Sequence, residues 1–550
     1  MNLLQLLQNL IGDSKTSLDL FRPELTLSAT IVVMLLVRVI RGGQRIDAFW
    51  LALIGSAIGL WFSAPWKQLD SIASLGSQEL FSGMLRYDSF AIYFRTILLL
   101  FAVLFVIFTK LSGIPDREDA PDFYSLVFGA TIGMCLMATA NHLVIIFLGV
   151  EMASVPSYAL AGLLKGRRQS SEAALKYSVY GAGAAGVMLY GISLLAGVLG
   201  SCHLPTMAAR MSELFAAHNA SADQAIVMAL GGLMIGVGLA FKLSAFPFHF
   251  WCPDVFEGAS AEVNAFLSVA SKAAALALLV RVVVGFTTLS PPQAGNVLLL
   301  PGGAAIERNE NQSQYAPRII LASAIEPAKQ IPAITKSSTA SDSNSDSALG
   351  KDPLSPARSF IVLLLSLVAA MTCTFGNLAA YGQTNLKRLM AYSTIAHAGY
   401  IMMPVAAAVA LGGVNQAASQ AVFAVVPFYV GLYLFMNLGA FAIIAFLRNA
   451  THSEEIADYG GLVRVAPGVV VCLTIIFVSL IGIPPMAGFA AKYVAFAALV
   501  QAMTEAPLFR GVMLSLLVIG GLNTALSLFY YLRVIKTMAI DPEPADRPAV

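Results

Sequence analysis

Apolar runs of about 20 residues recur along most of the 550-residue chain, and they constrain its fold more than any other feature. A hydrocarbon core about 30 Å thick needs about 20 apolar helical residues to cross it. Charged residues make up only 12% of the chain, whereas an ordinary soluble domain has about 25%. The sequence therefore predicts an all-α polytopic membrane protein and excludes a soluble enzyme. A membrane β-barrel is disfavoured, because barrel strands alternate polar and apolar residues in segments of about 10.

The apolar runs predict about thirteen transmembrane helices, two of which are broken. The spans lie at 24–41, 47–64, 88–109, 122–140, 142–163, 173–199, 225–251, 261–287, 359–381, 388–411, 419–447, 467–501 and 510–538. Pro247 interrupts the end of the seventh span, and Pro484 and Pro485 interrupt the twelfth. Paired interrupted helices in two halves of a chain indicate an ion-translocation site. If spans four to eight and nine to thirteen correspond, each half holds five spans, and the two repeats are inverted.

The basic residues of the short loops predict the orientation of the chain. Loops after odd-numbered spans carry most of them: Arg38, Arg41, Arg45, Lys110, Arg117, Lys165, Arg167, Arg168, Lys387, Arg388, Arg448, Arg464, Arg533 and Lys536. Because cytoplasmic loops are enriched in Lys and Arg, the N-terminus is expected outside and the C-terminus in the cytoplasm of a bacterial inner membrane. We expect no removable signal peptide, since no basic segment precedes a small-residue cleavage site.

The spans divide the chain into five predicted segments. Residues 1–121 hold the first three helices, 122–287 the first five-helix repeat, 358–540 the second, and 541–550 a cytoplasmic tail. Between the repeats, 288–357 is polar and rich in Ser, Asn, Ala and Pro. That composition cannot bury enough apolar area to offset the entropy of ordering. It is expected to be an external loop, at least partly disordered.

The polar residues give no support for a redox cofactor, a metal or a nucleic-acid partner. The five cysteines form no CxxC pair and the six histidines no HxxH or HExxH pattern, so ligand sets of those kinds are not indicated. Walker A and GxGxxG sequences in a suitable context are absent, which argues against direct use of ATP or NADH. The net charge of +2 indicates nothing about nucleic acid.

Three ionisable residues lie deep inside predicted spans. Glu151 is in the middle of the fifth span, Lys242 about two-thirds along the seventh, and Lys272 near the centre of the eighth. A charge there costs at least about 2.5–3.5 kcal/mol, and such residues usually face a wet interior and relay protons. A carboxylate that approaches or withdraws would load and unload a buried lysine. The alternatives are a Glu151 carboxyl that stays protonated or bonded to a neighbouring helix, and a Lys242 bonded statically to helix-end carbonyls.

Three more candidates extend the predicted relay. Lys176 lies near the start of the sixth span, where snorkelling to the interface is the alternative. His397 lies within the tenth span, and an imidazole that titrates near neutral pH suits proton relay, although a bonded core histidine is the alternative. Lys492 follows the second break. His249 and Asp254, near Trp251, are interpreted as interfacial anchors. Gly181, Gly183 and Gly186 are expected to permit close helix packing.

Five segments carry a resemblance to a known family. They are GVEMASVPSYAL (149–160), SSEAALKYSVYGA (170–182), FKLSAFPFHFWCPDVFEGA (241–259), QTNLKRLMAYSTIAHAGY (383–400) and IPPMAGFAAKYVAF (483–496). They resemble the antiporter-like membrane subunits of the proton-pumping NADH-quinone oxidoreductase, respiratory complex I, over roughly 120–540. Val150 before the fifth-span glutamate, and lysine rather than glutamate at Lys492, favour the subunit N branch of that family.

The resemblance implies a role for each candidate residue. Glu151 and Lys176 would form the ion pair that tunes the central site, and Lys242 would be the proton-binding lysine on the first broken helix. Lys272 and His397 would belong to the central hydrophilic axis, and Lys492 would lie close to the exit path. The resemblance also implies no cofactor in this subunit, because NADH, FMN, iron–sulfur clusters and quinone would bind partner subunits.

Two departures and two rival functions accompany the resemblance. Family members generally have fourteen spans, whereas about thirteen are predicted here. The 288–357 segment is also longer than expected of the family. The first rival function is a subunit of an Mrp-type cation/proton antiporter, which has no link to electron flow. The second is a structural subunit whose buried charges only fix helix packing. The resemblance favours a proton-translocating subunit, with the other membrane-arm subunits and the lipid bilayer as partners.

Overall fold

A computed structural model describes residues 3–40, 47–66, 76–216, 221–289, 297–299, 305–307, 319–320 and 352–544. Two units are distinguished: Met1–Thr288 together with Pro353–Val550, and Leu289–Asp352. The smaller unit contains three short antiparallel strands, in the order β3 (Val297–Leu299), β4 (Ala305–Glu307), β5 (Ile319–Ile320). Apart from these strands and the two ends of the segment, residues 288–357 lie outside the described part of the chain, and so does the prediction that they are partly disordered.

The larger unit is helical, and its first part ends at Thr287. Its helices are α1 (Leu3–Leu20), α2 (Arg22–Val39), α3 (Ala48–Ser63), α4 (Ser89–Ser112), α5 (Ala120–Thr139), α6 (Leu143–Ala161), α7 (Arg168–Leu199), α8 (Leu204–Ala216), α9 (Ala222–Leu243), α10 (Trp251–Gly258), α11 (Ala261–Ser268) and α12 (Ala270–Thr287). Between α3 and α4 lies a hairpin that the sequence did not predict, made of β1 (Gln78–Leu80) and β2 (Leu85–Tyr87).

The second part of the larger unit begins at Ser355. Its helices are α13 (Ser355–Ala380), α14 (Leu386–Leu411), α15 (Gln416–Phe423), α16 (Val425–Thr451), α17 (Pro467–Ile481), α18 (Ala487–Glu505) and α19 (Arg510–Ala539). Short 3-10 turns lie at Ile456–Tyr459, Leu462–Arg464 and Pro507–Phe509.

The predicted all-α polytopic fold is confirmed. Among the described residues, 11 helical segments are long and apolar enough to cross a membrane, or up to 13 if each bent helix pair counts as one span. Several details of the prediction differ. Helix α1 lies before the first predicted span, and the predicted second span is the shorter helix α3. The predicted broken twelfth span is the pair of helices α17 and α18. The inverted relation of the two five-helix repeats stays a prediction.

Both predicted helix breaks are present, and the first ends its helix earlier than expected. Helix α9 stops at Leu243, because Ser244 adopts a left-handed conformation with φ 55°. Pro247 lies in the turn that follows, before α10 begins at Trp251. Lys242 is therefore in the last turn of α9, rather than two-thirds along a span that reaches residue 251. Pro484 and Pro485 likewise lie in the turn between α17 and α18.

A third break, at Val269, was not predicted. It separates α11 from α12 within the predicted eighth span, where Val269 has φ −102° and ψ −71°. The flanking sequence FLSVASKAAA contains neither proline nor glycine. Lys272 consequently lies in the first turn of α12, next to a break, and not in the middle of a continuous helix.

Glycines bring two pairs of helices into close contact. A Cβ added at Gly133 of α5 would lie 2.6 Å from the backbone nitrogen of Ala153 on α6. A Cβ at Gly399 of α14 would lie 2.6 Å from that of Cys373 on α13. The expectation of close packing is wrong for Gly183 and Gly186, since an added Cβ meets nothing within 4 Å at either position. At Gly181 the added Cβ would meet the Tyr158 hydroxyl.

Helices α11, α12 and α14 lie at the centre of the bundle. Nearly all residues of α14 and of the segment Ala261–Thr287 are buried, whereas most residues of the segment Pro507–Ala539 are exposed or only partly buried. A helix enclosed by protein on all sides faces no lipid. Ionisable groups on these central helices therefore meet only other side chains, backbone or enclosed water.

Candidate functional site

The first part of the site is built around Lys242, in the last turn of α9. The residue is 2% exposed, and its ammonium donates to the Ser154 hydroxyl of α6 at 3.0 Å. Glu151 lies one turn earlier on α6 and interacts electrostatically with Lys242. One oxygen of Glu151 is buried and has no hydrogen-bond partner. The acid is therefore placed to act on Lys242 without being locked in a hydrogen bond to it.

The expected ion pair between Glu151 and Lys176 is not formed in this structure. Lys176 instead lies 2.9 Å from Glu172, one turn away on α7, and 2.8 Å from Asp254 on α10. The side chain of Lys176 is 37% exposed and lies close to the start of α7. The carboxylates near that helix end reach it, whereas Glu151 lies deeper, beside Lys242. The partner of Glu151 is consequently Lys242, and Lys176 belongs to a separate network.

The second part of the site is Lys272, beside the unpredicted break at Val269. Its ammonium is buried, and it has no hydrogen-bond partner in the structure. It interacts electrostatically with Cys252 and with His249, both of which follow the first helix break. His249 is 8% exposed, and its Nδ1 atom lacks a partner. The interpretation of His249 as an interfacial anchor is therefore wrong, because its ring is buried and faces a buried lysine.

The third part of the site is His397, in the middle of the enclosed helix α14. Its Nδ1 atom lies 2.9 Å from the hydroxyl of Tyr429 on α16. The ring of Tyr433 lies 5.2 Å from the imidazole ring, centroid to centroid. His397 interacts electrostatically with both Lys492 and Lys272. The imidazole is therefore near enough to Lys272 and to Lys492 for the charge of either lysine to act on it. Its role in a central axis stays a prediction.

The fourth part of the site is Lys492, at the start of α18. Its ammonium donates to the backbone carbonyl of Ile481 at 3.0 Å, and this carbonyl is freed by the end of α17. The ammonium also lies 4.3 Å from the centroid of the Tyr400 ring, within range of a cation–π contact. Gly482 permits this approach: a Cβ there would lie 3.0 Å from Cδ of Lys492, and its φ of 86° favours glycine. The second break thus supplies the acceptor for the lysine that follows it.

Each of the three buried lysines and the histidine is 2–3% exposed. All three lysines adjoin a helix break. An isolated charge in such surroundings is expensive, so the ammonium groups need carbonyls, carboxylates or water nearby. The breaks and Glu151 supply some of these groups. The arrangement can hold protons on buried amines and an imidazole, and where two sites interact electrostatically the charge of one affects the other.

Ion pairs at one end of the bundle were missed by the sequence analysis. We call this end the charged end, and it consists of Lys176, Asp254, Glu257, Lys387, Arg388, Arg448 and Glu454. Arg388 lies 3.1 Å from Asp254 and 2.5 Å from Glu257. Its neighbour Lys387 lies 2.9 Å from Glu454. Asp254 is therefore a junction between α7, α10 and α14, rather than only an interfacial anchor.

Two other buried ion pairs lie apart from the row of amines. Glu24 of α2 accepts two bonds from Arg95 of α4, at 2.7 and 2.6 Å, and both side chains are almost fully buried. Asp88, which caps α4, accepts two bonds from Arg281 at 2.6 Å. These pairs connect helices and are not linked to the candidate relay by any hydrogen bond between described residues.

The cysteines and histidines hold no metal-like cluster within the described part of the chain. No group of three or more His, Cys, Asp or Glu side chains there is placed to hold a metal ion. The five cysteines are free thiols.

Comparisons with known proteins agree with the fold and the site. The family model described as NADH:quinone oxidoreductase/Mrp antiporter, transmembrane, matches residues 140–306 and 351–518. The NADH-quinone oxidoreductase subunit N of Anaeromyxobacter sp. (strain Fw109-5) is 35% identical, over 98% of this chain and 91% of its own.

Solved structures show the same similarity. A chain of respiratory complex I from Thermus thermophilus with bound aureothin matches with a TM-score of 0.62 and 27% identity, over 96% of this chain and 91% of that one. A chain of the Mrp complex from Dietzia sp. DQ12-45-1b has a TM-score of 0.67 at 18% identity, over 98% of this chain and 82% of that one, and shares the fold. Since the family model covers more than half of the sequence and the subunit N relative aligns along nearly all of it, the chain belongs to the NADH:quinone oxidoreductase/Mrp antiporter transmembrane family, on its subunit N branch.

Proposed function

We propose that this chain is a proton-translocating membrane-arm subunit of a bacterial NADH-quinone oxidoreductase. The observation that carries the proposal is two sets of electrostatically coupled groups inside the bundle: Glu151 with Lys242, and Lys272 with His397 and Lys492. Glu, Lys and His chains inside a membrane mark proton relays in pumps and transporters. The subunit N relatives support the link to quinone reduction.

In the proposed mechanism Glu151 controls the charge on Lys242. A movement of α6 that brings the carboxylate closer favours the ammonium form, and a movement away favours release of the proton. His397 passes protons between the lysines of the two halves, because an imidazole can accept at one nitrogen and donate at the other. The Ile481 carbonyl receives the ammonium of Lys492 beside the second break. Since the helix breaks free backbone groups inside the bundle, small helix movements can change these contacts.

The orientation and partners follow from the same proposal. The charged end would face the cytoplasm, as the basic loops indicate, with the N-terminus outside and the C-terminus inside. The other membrane-arm subunits would pack against this one in the inner membrane. NADH, FMN, iron–sulfur clusters and quinone would be held by partner subunits, and this chain would contribute proton transfer without redox chemistry of its own.

The test uses the whole complex, reconstituted in sealed vesicles, with proton uptake and electron transfer measured together. Lys242→Ala is expected to lower the number of protons moved per electron while the complex stays assembled. Lys242→Arg is expected to impair pumping as well, because arginine does not release its proton. The matched control is Lys165→Ala, since that lysine is 77% exposed and pairs with Asp119 in a loop. Unchanged pumping in the Lys242 variants would overturn the proposal.

The alternative function is that of a cation/proton antiporter subunit, which the fold of the Mrp complex supports. Purification separates the two functions. A chain that acts in the oxidoreductase should co-purify with flavin and iron–sulfur proteins. A chain that acts in an antiporter should instead purify without flavin or iron–sulfur proteins, and it should give Na⁺-dependent proton movement in vesicles.

A further inference from the structure

Helix α16 carries a row of three buried polar side chains, and only the first of them makes a hydrogen bond of normal geometry. Tyr429, Tyr433 and Asn437 follow one another at intervals of four residues, so they lie on one face of the helix. The Tyr433 hydroxyl and both amide atoms of Asn437 are buried, and none of them makes a hydrogen bond of normal geometry, although the hydroxyl lies near Thr394 and Asn437. Buried polar atoms in proteins are nearly always hydrogen-bonded, and enclosed water supplies the bond where the protein does not. The row is therefore a place for water.

This row begins at the central histidine and runs towards the charged end. Tyr429 lies 2.9 Å from His397, and the Tyr433 ring lies 5.2 Å from its ring. From Tyr429 to Asn437 the helix rises about 12 Å, at about 1.5 Å for each residue. The direction is fixed because α16 ends at Thr451, just before Glu454 of the charged end.

A second unpartnered group lies on the neighbouring helix α11. Glu262 is 1% exposed, and neither of its carboxylate oxygens has a hydrogen-bond partner in the structure. Helix α11 packs against α16. It begins at the charged end, where Lys387 donates to the Ala259 carbonyl at 2.7 Å. Glu262 thus lies between the charged end and the enclosed centre of the bundle.

Glu262 differs from the other deeply buried acid, Glu24, which has an arginine partner at 2.6 Å. A buried carboxyl without a donor forms no hydrogen bond that would join helices, and it requires either a bound proton or water. The place of Glu262 in the first turn of α11 favours a negative charge, but it does not account for the missing hydrogen-bond donor. A role in proton transfer does, because a carboxyl group can take up and release a proton, whereas the amide of Asn437 can only hold water in place.

We propose that Glu262, Asn437 and Tyr433 form a hydrated proton route between α11 and α16, which connects the charged end to His397. Glu262 is the proton-binding group of this route, and Asn437 and Tyr433 position its water. The route rests on the proposed function and adds to it a path by which protons reach the central histidine without passing Lys242. The proton moves from the charged end to the Glu262 carboxyl, then along water to the imidazole, and no bond other than those to the proton changes.

The test compares three variants in the complex reconstituted in vesicles. Glu262→Gln keeps the size of the side chain and removes its proton exchange, so protons moved per electron should fall. Glu262→Asp keeps the acid, and pumping should largely persist. Glu213→Gln, an exposed acid on α8, is the control and should leave pumping unchanged. The proposal is overturned if Glu262→Gln pumps normally, or if Glu262→Gln and Glu262→Asp lower pumping equally, which would indicate a packing role.

Two further measurements keep the test decisive. Asn437→Leu should lower pumping by drying the route, and Asn437→Ser, which still binds water, should lower it less. This pair decides the matter if the Glu262→Gln complex fails to assemble, and equal pumping in both variants overturns the route. Lys242→Ala, measured in parallel, separates the two proposals. If it stops pumping while Glu262→Gln does not, only the route is wrong, and if neither changes pumping, the proposed function is wrong too.

Discussion

The Lys176 ammonium lies 2.8 Å from the Asp254 carboxylate, and this contact joins α7 to α10, the half-helix beyond the first break. Asp254 also lies 3.1 Å from Arg388 at the start of α14. Three helices therefore meet at one carboxylate. Lys242 lies in the last turn of α9, and only the turn at the first break separates it from α10. A movement of α10 can therefore move the lysine. In the proposed mechanism, the charged end can in this way affect Lys242 from a distance.

Asp254→Asn is expected to lower proton pumping more than it lowers stability. The ion pair is partly exposed, and such pairs contribute about 0–1 kcal/mol to folding. Loss of the tie between α7 and α10 should nevertheless loosen the half-helix and reduce protons moved per electron. The matched control is Glu172→Gln. This variant removes the other partner of Lys176, but that partner lies on the same helix as the lysine, so no contact between helices is lost. Equal pumping in the two variants would contradict this role of Asp254.

Glu24→Gln should destabilise the protein strongly. Glu24 and Arg95 are almost fully buried, and breaking a buried pair by removing one partner costs about 3–5 kcal/mol because the other charge is left unpaired. The measurement is the yield of assembled complex and its thermal unfolding midpoint. The double variant Glu24→Leu with Arg95→Met is the control, since replacing both charges by apolar residues is often neutral. A single variant as stable as the double one would show that Arg95 finds another partner.

Gly399→Ala should destabilise the contact between α13 and α14. The new methyl group would lie 2.6 Å from the backbone nitrogen of Cys373, and overpacking of this kind costs about 1–3 kcal/mol. Gly183→Ala is the control, because its methyl group meets nothing within 4 Å and alanine favours a helix over glycine by about 1 kcal/mol. Thermal unfolding of the two variants checks the prediction. If Gly399→Ala is as stable as Gly183→Ala, the two helices can separate without cost.

The sequence predicted those parts of the fold that depend on local composition. Apolar runs located the spans because the bilayer sets their length, and Pro247, Pro484 and Pro485 located two breaks because proline cannot continue a helix. The break at Val269 has no such signal, since its sequence contains neither proline nor glycine. It depends on how α11 and α12 pack among their neighbours, which is not visible in a local pattern.

The candidate relay residues could be selected from the sequence, but the side chains that contact them could not. A charged residue inside an apolar run is visible in the sequence, so Glu151, Lys242 and Lys272 could be selected. The pair of Lys176 with Asp254 joins residues 78 positions apart, and no pattern within one span indicates it. Glu262 did have a signal, as an acid inside a predicted span, but its place near the helix start concealed its burial.

Tyr429→Phe should lower pumping while the protein stays folded. The tyrosine hydroxyl is 2.9 Å from Nδ1 of His397, and removing a hydrogen bond of this kind costs about 1 kcal/mol. This contact fixes the orientation of the imidazole ring and determines which of its two nitrogens carries the proton. Without the contact, proton transfer between Lys272 and Lys492 should slow. Proton uptake and electron transfer are again measured together in vesicles. Tyr493→Phe, at a residue 62% exposed, is the control. Since both variants lose one hydroxyl, normal pumping in Tyr429→Phe would mean that His397 works without a fixed partner, or takes no part in the relay.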